Sequence, residues 1–126
     1  MASKLYERGL EMRKKVLGAA HVEQTLAHTD AFSQPLQEMV NEYCWGAVWS
    51  RPGLPPRIRS MITVAMLTAL NRPAELKMHI AAALGNGVTR EEISEILLHG
   101  NIYCGAPAAV DAFRCMREAF AAADAA

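Results

Sequence analysis

The sequence predicts an all-α domain of about six helices, and three observations carry that reading. Apolar residues recur at three- and four-residue intervals through nearly every segment, glycine and proline fall at the joints between segments, and no stretch alternates with the two-residue period of a strand. The 126 residues suffice for one core that buries roughly two-thirds of the surface exposed by the unfolded chain. The expected organisation is a single domain over residues 1–126, without internal repeats.

Each element has a local reason. Ser3 can cap a first helix whose Leu5, Met12 and Val16 share one face, with Gly9 between them, and Gly18 stops it. A second helix follows Ser33 and Pro35; its expected inner stripe is Leu36, Met39, Val40, Tyr43, Cys44 and Ala47, with Trp45 and Trp49 near its end. The connector Ser50-Arg51-Pro52-Gly53-Leu54-Pro55-Pro56 is stiffened by its prolines, which restrict their own backbone and that of the residue before. The third helix, from about Arg57 to Leu70, is apolar on almost every side, as befits a helix central to a core or shared between subunits.

Pro73 opens a fourth helix, where its missing N–H is no loss, and Gly85-Asn86-Gly87 closes it. Its inner stripe is Leu76, His79, Ile80 and Ala83. Thr89-Arg90-Glu91-Glu92 reads as a capping box for a fifth helix bearing Ile93, Ile96, Leu97 and, at the same spacing, His99 and Tyr103. Beyond the break at Gly105-Ala106-Pro107, a sixth helix carries Val110, Phe113, Met116 and Phe120 before an alanine-rich end expected to fray.

Charge and cysteine content narrow the function. With 13 basic and 13 acidic side chains the chain lacks the broad positive field on which non-specific binding to nucleic acid or an anionic membrane relies, so no nucleic acid is expected as a partner. The start, Met1 to Arg8, is charged, and the most apolar run, Met61 to Leu70, is too short to span a bilayer. A soluble protein is expected, with no membrane partner. Cys44, Cys104 and Cys115 form no CxxC pair and are odd in number, which suits a reducing cytoplasm. His21, His28, His79 and His99 are not grouped with cysteines at zinc-ligand spacings, so no metal is expected.

The most informative stretch is Asn71-Arg72-Pro73-Ala74-Glu75-Leu76-Lys77-Met78-His79. An imidazole on the apolar side of a helix titrates near neutrality and can give or take a proton, and Glu75 lies one turn before it on the same side. Read from the residues alone, His79 is either such a group or a hydrogen-bonded core histidine beside a solvated glutamate. Arg51, Arg57, Arg59 and Arg72 cluster at the two proline-rich joints, where they could bind an anion or stay solvated. Tyr103 and Cys104 lie at another joint and could line a pocket or fill a core; His99 has no partner at helical spacing. Trp45 and Trp49 suit a pocket wall, a subunit contact or plain core.

Several runs together resemble the 4-carboxymuconolactone decarboxylase family: Trp49-Ser50-Arg51-Pro52-Gly53-Leu54, Arg57-Ile58-Arg59-Ser60, Leu70-Asn71-Arg72, Glu75-Leu76-Lys77-Met78-His79, Asn86-Gly87-Val88-Thr89-Arg90-Glu91-Glu92-Ile93 and Ile102-Tyr103-Cys104-Gly105-Ala106-Pro107-Ala108-Ala109. Val16-Leu17-Gly18 and Ala20-His21-Val22 extend the resemblance towards the start. It implies the helical fold shared with alkylhydroperoxidase D and a cofactor-free enzyme of aromatic catabolism, assembled as a homo-oligomeric trimer or hexamer.

Redox-active relatives on that fold carry CxxCxxxH. Setting His79 on their histidine puts Arg72 and Glu75 where their cysteines stand, and a thiol peroxidase needs a thiolate and a resolving partner close by. The alternatives to a decarboxylase are such a thiol-dependent redox protein and a non-catalytic small-molecule-binding oligomer on the same frame.

The resemblance implies a carboxylated lactone as substrate. In carboxymuconolactone the departing carboxylate sits on the ring carbon vinylogous to the lactone carbonyl, so the electrons left by CO₂ pass through the double bond to the lactone oxygen as a dienolate. The protein must hold two carboxylates, stabilise that oxygen and protonate the carbon next to the carbonyl. The expected roles are His79 as proton donor, Glu75 orienting it, Arg51, Arg57, Arg59 and Arg72 gripping carboxylates, and Tyr103 stabilising the dienolate.

Overall fold

In the computed structural model, which describes residues 3–126, the chain forms seven α-helices and, among the described residues, no strand. The all-α class expected from the periodicity is the class observed. The helices group into two compact units, one running to Pro55 and the other from Pro56 to Ala126.

In the first unit, α1 (Lys4–Leu17) starts where Ser3 Oγ accepts the Tyr6 N–H at 3.0 Å. It stops at Gly18, whose φ of +94° is costly for a residue with a Cβ. A short α2 (Ala19–Ala27) follows at once, a helix not expected from the periodicity, because Val22 is its single buried residue and no stripe forms. Next, α3 (Gln34–Met39) runs directly into a π-helical segment, Val40–Trp49.

That segment overturns the expected inner stripe. Leu36, Met39 and Tyr43 are exposed, whereas Asn41, Trp45, Gly46 and Trp49 are buried. The buried face includes Asn41, which bonds Arg13, and Gly46, which admits the backbone of α1, so a template built on large apolar side chains passes over it. Trp45 and Trp49 stack with ring centroids 4.7 Å apart, inside the unit.

Packing of α1 on the π segment is close because both contribute glycine. A Cβ on Gly9 would lie 1.6 Å from the Asn41 carbonyl oxygen, and one on Gly46 would lie 2.5 Å from that of Leu5. One turn beyond Gly9, buried Arg13 donates through Nη1 to Gln37 Oε1 and to Asn41 Oδ1, each at 2.9 Å. Burial pushes the pKa of this guanidinium down.

The second unit contains α4 (Pro56–Leu70), α5 (Pro73–Gly85), α6 (Arg90–Cys104) and α7 (Ala106–Ala125). Its core joins Val64 of α4, Leu76 and Ile80 of α5, Ile93 and Leu97 of α6, and Ala112 and Met116 of α7. Each large aliphatic side chain buried there contributes about 1.5–3 kcal/mol. The capping box at the start of α6 has both of its bonds: Thr89 Oγ1 accepts the Glu92 N–H, and Glu92 Oε1 accepts the Thr89 N–H, each at 3.0 Å.

The apolar surface of α4 divides between core and exterior, and the buried face of α7 differs from expectation. On α4, Val64 and Thr68 point inward while Ile62, Met66 and Leu70 are exposed along the outer side. On α7, Val110 is exposed and the buried stripe is mostly small, Ala109, Ala112, Cys115, Met116 and Ala119, with Phe113 and Phe120 packed at its margins. Small residues let this helix approach closely, and it stays helical to Ala125 instead of fraying.

Candidate active site

The first turn of α5 is built by Pro73, with Arg72 in the N-cap position and Glu75 exposed near the positive end of the helix dipole, where a carboxylate is favoured. His79 lies one turn on. It is half-buried, between fully inward Leu76 and Ile80, and its Nδ1 is shielded from solvent. Leu76 and Ile80 anchor the helix in the core, so the imidazole is carried on a fixed backbone. Arg72, Glu75 and His79 therefore share one helix, which packs against α4 and α7.

Arg57 and Arg59 open α4 but diverge. Two residues along a helix is about 200° of rotation, so their side chains leave from opposite sides. The Arg57 guanidinium donates through Nε to the Gly87 carbonyl at 3.3 Å, lies with Nη1 3.8 Å from Met61 Sδ, and pairs through Nη2 with Glu92 Oε2. Glu92 is thus shared between its own helix cap and Arg57. The Thr89 N–H first, and then the Arg57 guanidinium, hold its carboxyl below the usual range.

Glu92 also lines a cleft of about 670 Å³ between α4 and α6, floored by Met61, Ala65 and Ile96. His99 and Tyr103 form part of its wall, their rings stacked at 4.9 Å and 23°. Tyr103 is 79% exposed, so it is cleft wall and not core. The cleft is mostly apolar, with glutamates and the stacked rings as its polar features, a lining common in small-molecule sites.

Arg51 belongs to the first unit, exposed just after the π segment, with its backbone N–H on the Val48 carbonyl at 3.1 Å. The structure thus distributes the sequence candidates. His79, Glu75 and Arg72 lie on α5, Arg57 lies against Glu92, Tyr103 lies in the cleft wall, and Arg51 lies in the other unit. Glu92 is the residue beside Arg57 and in the cleft lining that the sequence singled out only for its cap. Thr89-x-x-Glu92 revealed its cap role, but Arg57 stands 35 positions upstream, beyond any local spacing rule.

The thiols are dispersed. Cys44 is exposed, Cys104 is half-buried in the cleft wall, and Cys115 is buried with Sγ 3.5 Å from the Pro73 carbonyl oxygen. Burial pushes the Cys115 thiol up, away from thiolate. Among the described residues, no three His, Cys, Asp or Glu side chains gather as a metal site would require, and no helix is long and apolar enough to cross a membrane.

The second unit is thus an all-helical frame with a half-buried histidine on one helix and a guanidinium fixed at the start of another, beside an apolar cleft of small-molecule size. Comparison with known proteins makes this description particular. The sequence model of the Carboxymuconolactone decarboxylase family matches residues 34–118, and the chain belongs to that family. It is 45% identical over 115 residues to the 4-carboxymuconolactone decarboxylase of Acinetobacter baylyi, an alignment covering 91% of this chain and 86% of the relative. It is 40% identical over 109 residues to the nitrosuccinic acid decarboxylase npaB of Metarhizium robertsii, covering 86% and 76% of the two chains.

Proposed function

We propose that this protein is a carboxy-lyase that converts 4-carboxymuconolactone to 3-oxoadipate enol-lactone and CO₂, without a cofactor, in the breakdown of aromatic compounds. The observation that carries the reading is likeness along nearly the whole chain to two proteins named as decarboxylases. Their named acids have a common chemistry. Each bears two carboxylates, and each contains an acceptor for the electrons that CO₂ leaves behind, a conjugated lactone in one and a nitro group in the other.

In the proposed reaction, guanidinium groups hold the two carboxylates and the carbon–carbon bond to the departing one breaks. Its electron pair moves through the ring double bond onto the lactone oxygen. His79, oriented by Glu75, gives its proton to the carbon next to the carbonyl, and a proton from solvent replaces it. Arg51, Arg57, Arg59 and Arg72 are the proposed carboxylate ligands, and Tyr103 donates to the dienolate oxygen. Such oriented donors are each worth about 10²–10³ in rate.

The enzyme is proposed to act in the cytoplasm as a homo-oligomeric trimer or hexamer. The exposed apolar row Ile62, Met66 and Leu70 on α4 supports assembly, since rows of this kind mark contact surfaces. The replacement of the redox motif's cysteines by Arg72 and Glu75 favours the lyase over a thiol-dependent peroxidase.

The test is CO₂ release and loss of ultraviolet absorbance with enzymatically prepared carboxymuconolactone. His79→Ala is expected to lower kcat at least about a hundredfold while the far-ultraviolet circular dichroism stays unchanged, as loss of a general acid implies. Undiminished turnover by the variant would remove His79 from the mechanism.

A further inference from the structure

Arg57 starts α4, where the helix dipole disfavours a cation, yet its guanidinium is held at three points. Nε faces the Gly87 carbonyl, Nη1 faces Met61 Sδ, and Nη2 faces Glu92 Oε2. Glu92 is itself fixed, because its other carboxylate oxygen accepts the Thr89 N–H at 3.0 Å. A rigid series results: the cap of α6 fixes a carboxylate, and the carboxylate fixes a guanidinium on α4. Of the five N–H groups of a guanidinium, these partners occupy three and leave one on each terminal nitrogen for an outside acceptor. The side chain is 39% exposed, so such an acceptor can reach it.

We propose that Glu92 is a positioning residue. It holds Arg57 oriented before substrate arrives, so that binding a substrate carboxylate does not first have to order a long, flexible side chain. The inference rests on the reading of Arg57 as a carboxylate ligand of the lyase. It deepens that reading by explaining why an acidic residue stands where a dianion is to be bound. A lone glutamate there would repel the substrate, whereas one already paired with Arg57 exchanges part of that repulsion for geometry.

Glu92→Gln separates this role from the structural one. Glutamine serves as well as glutamate in a capping box, so the helix start is kept, while the charge facing Arg57 is lost. In steady-state decarboxylation of carboxymuconolactone, Glu92→Gln is expected to raise KM about tenfold with kcat within about threefold, and to leave the melting temperature within a few degrees. In an Arg57→Ala background the same change is expected to have no further effect on KM.

An equal KM increase in both backgrounds would make Glu92 merely structural, and a fall in KM would make it a competitor of the substrate; either overturns the proposal. If Glu92→Gln fails to fold, Glu92→Asp replaces it, keeping the charge but withdrawing it by one methylene, with the same expectation for KM. Wild-type turnover with Glu92→Gln kinetics unchanged refutes the positioning role alone. Absence of wild-type turnover refutes the lyase reading and the role that depends on it.

Discussion

Replacing Gly9 with alanine tests the packing that holds the first unit together. The added Cβ would lie 1.6 Å from the Asn41 carbonyl oxygen and 2.7 Å from the Gly46 nitrogen, both backbone atoms that cannot rotate aside. Non-bonded atoms settle at about 3.5 Å, so α1 and the π segment must separate by on the order of 2 Å. Overpacking of this kind costs about 1–3 kcal/mol. The same displacement draws Arg13 away from Gln37 and Asn41, and hydrogen bonds to a charged donor are worth about 1.5–3 kcal/mol.

Together these come to about 2.5–6 kcal/mol, against a gain of up to about 1 kcal/mol from alanine's better helix propensity. Trp45 and Trp49 are the chain's only two tryptophans, and both are buried in this unit. Intrinsic fluorescence during urea denaturation therefore reports on it directly. A loss below about 1 kcal/mol, with unaltered fluorescence of the native state, would show that the close helix contact is not a constraint and would refute the packing argument.

Other perturbations read the second unit and its charges. Leu97→Ala, at a fully buried core position, is expected to cost about 2–5 kcal/mol by denaturation followed by circular dichroism, and a cost under about 1 kcal/mol would contradict its placement. Stability should also fall in acid. The carboxyls of Asp30, Glu92 and Asp124 are held below their ordinary values by the Ser33 N–H, the Thr89 N–H and the Arg90 guanidinium respectively. Each therefore stabilises the folded chain above the ordinary carboxylate range near about 4, and that contribution is lost as pH drops through the lowered value. Melting temperature measured down the pH scale should fall there, and Asp124→Asn should flatten the fall; an identical acid limb in that variant would count against the Arg90 pairing.

Legibility in the sequence followed the physics of each element. Ser3, Gly18, Pro73 and Thr89-x-x-Glu92 act within a turn or two of themselves, so their caps and boundaries could be read directly, and α1, α4, α5 and α6 fall where expected. The face of α3 and the π segment could not be read this way, since it is lined by Asn41 and Gly46 as well as the tryptophans, and the inner face assigned to Leu36, Met39 and Tyr43 is in fact outside. On α7 the apolar stripe was chosen by size, whereas burial favours the alanines that permit close approach.

The candidate site was legible as residue types more than as an arrangement. Glu75 and His79 share a helix face by simple spacing, and the structure keeps them on one helix. The fixing of Arg57 depends on Gly87 and Glu92, 30 and 35 positions away, and only tertiary packing brings them together. Arg57 and Arg59, grouped in the sequence with the arginines at the proline-rich joints, leave their helix from opposite sides.

The winding of Val40–Trp49 also bears on how the chain tolerates change in length. Loss of one residue from α5 would turn everything beyond it by about 100° and swing His79 or Ile80 off its face. Loss of one residue from Val40–Trp49 would likewise carry Asn41 and Gly46 off the face that meets Gly9 and Arg13, so related chains are expected to keep the length of both stretches and to vary in length at the joints between helices.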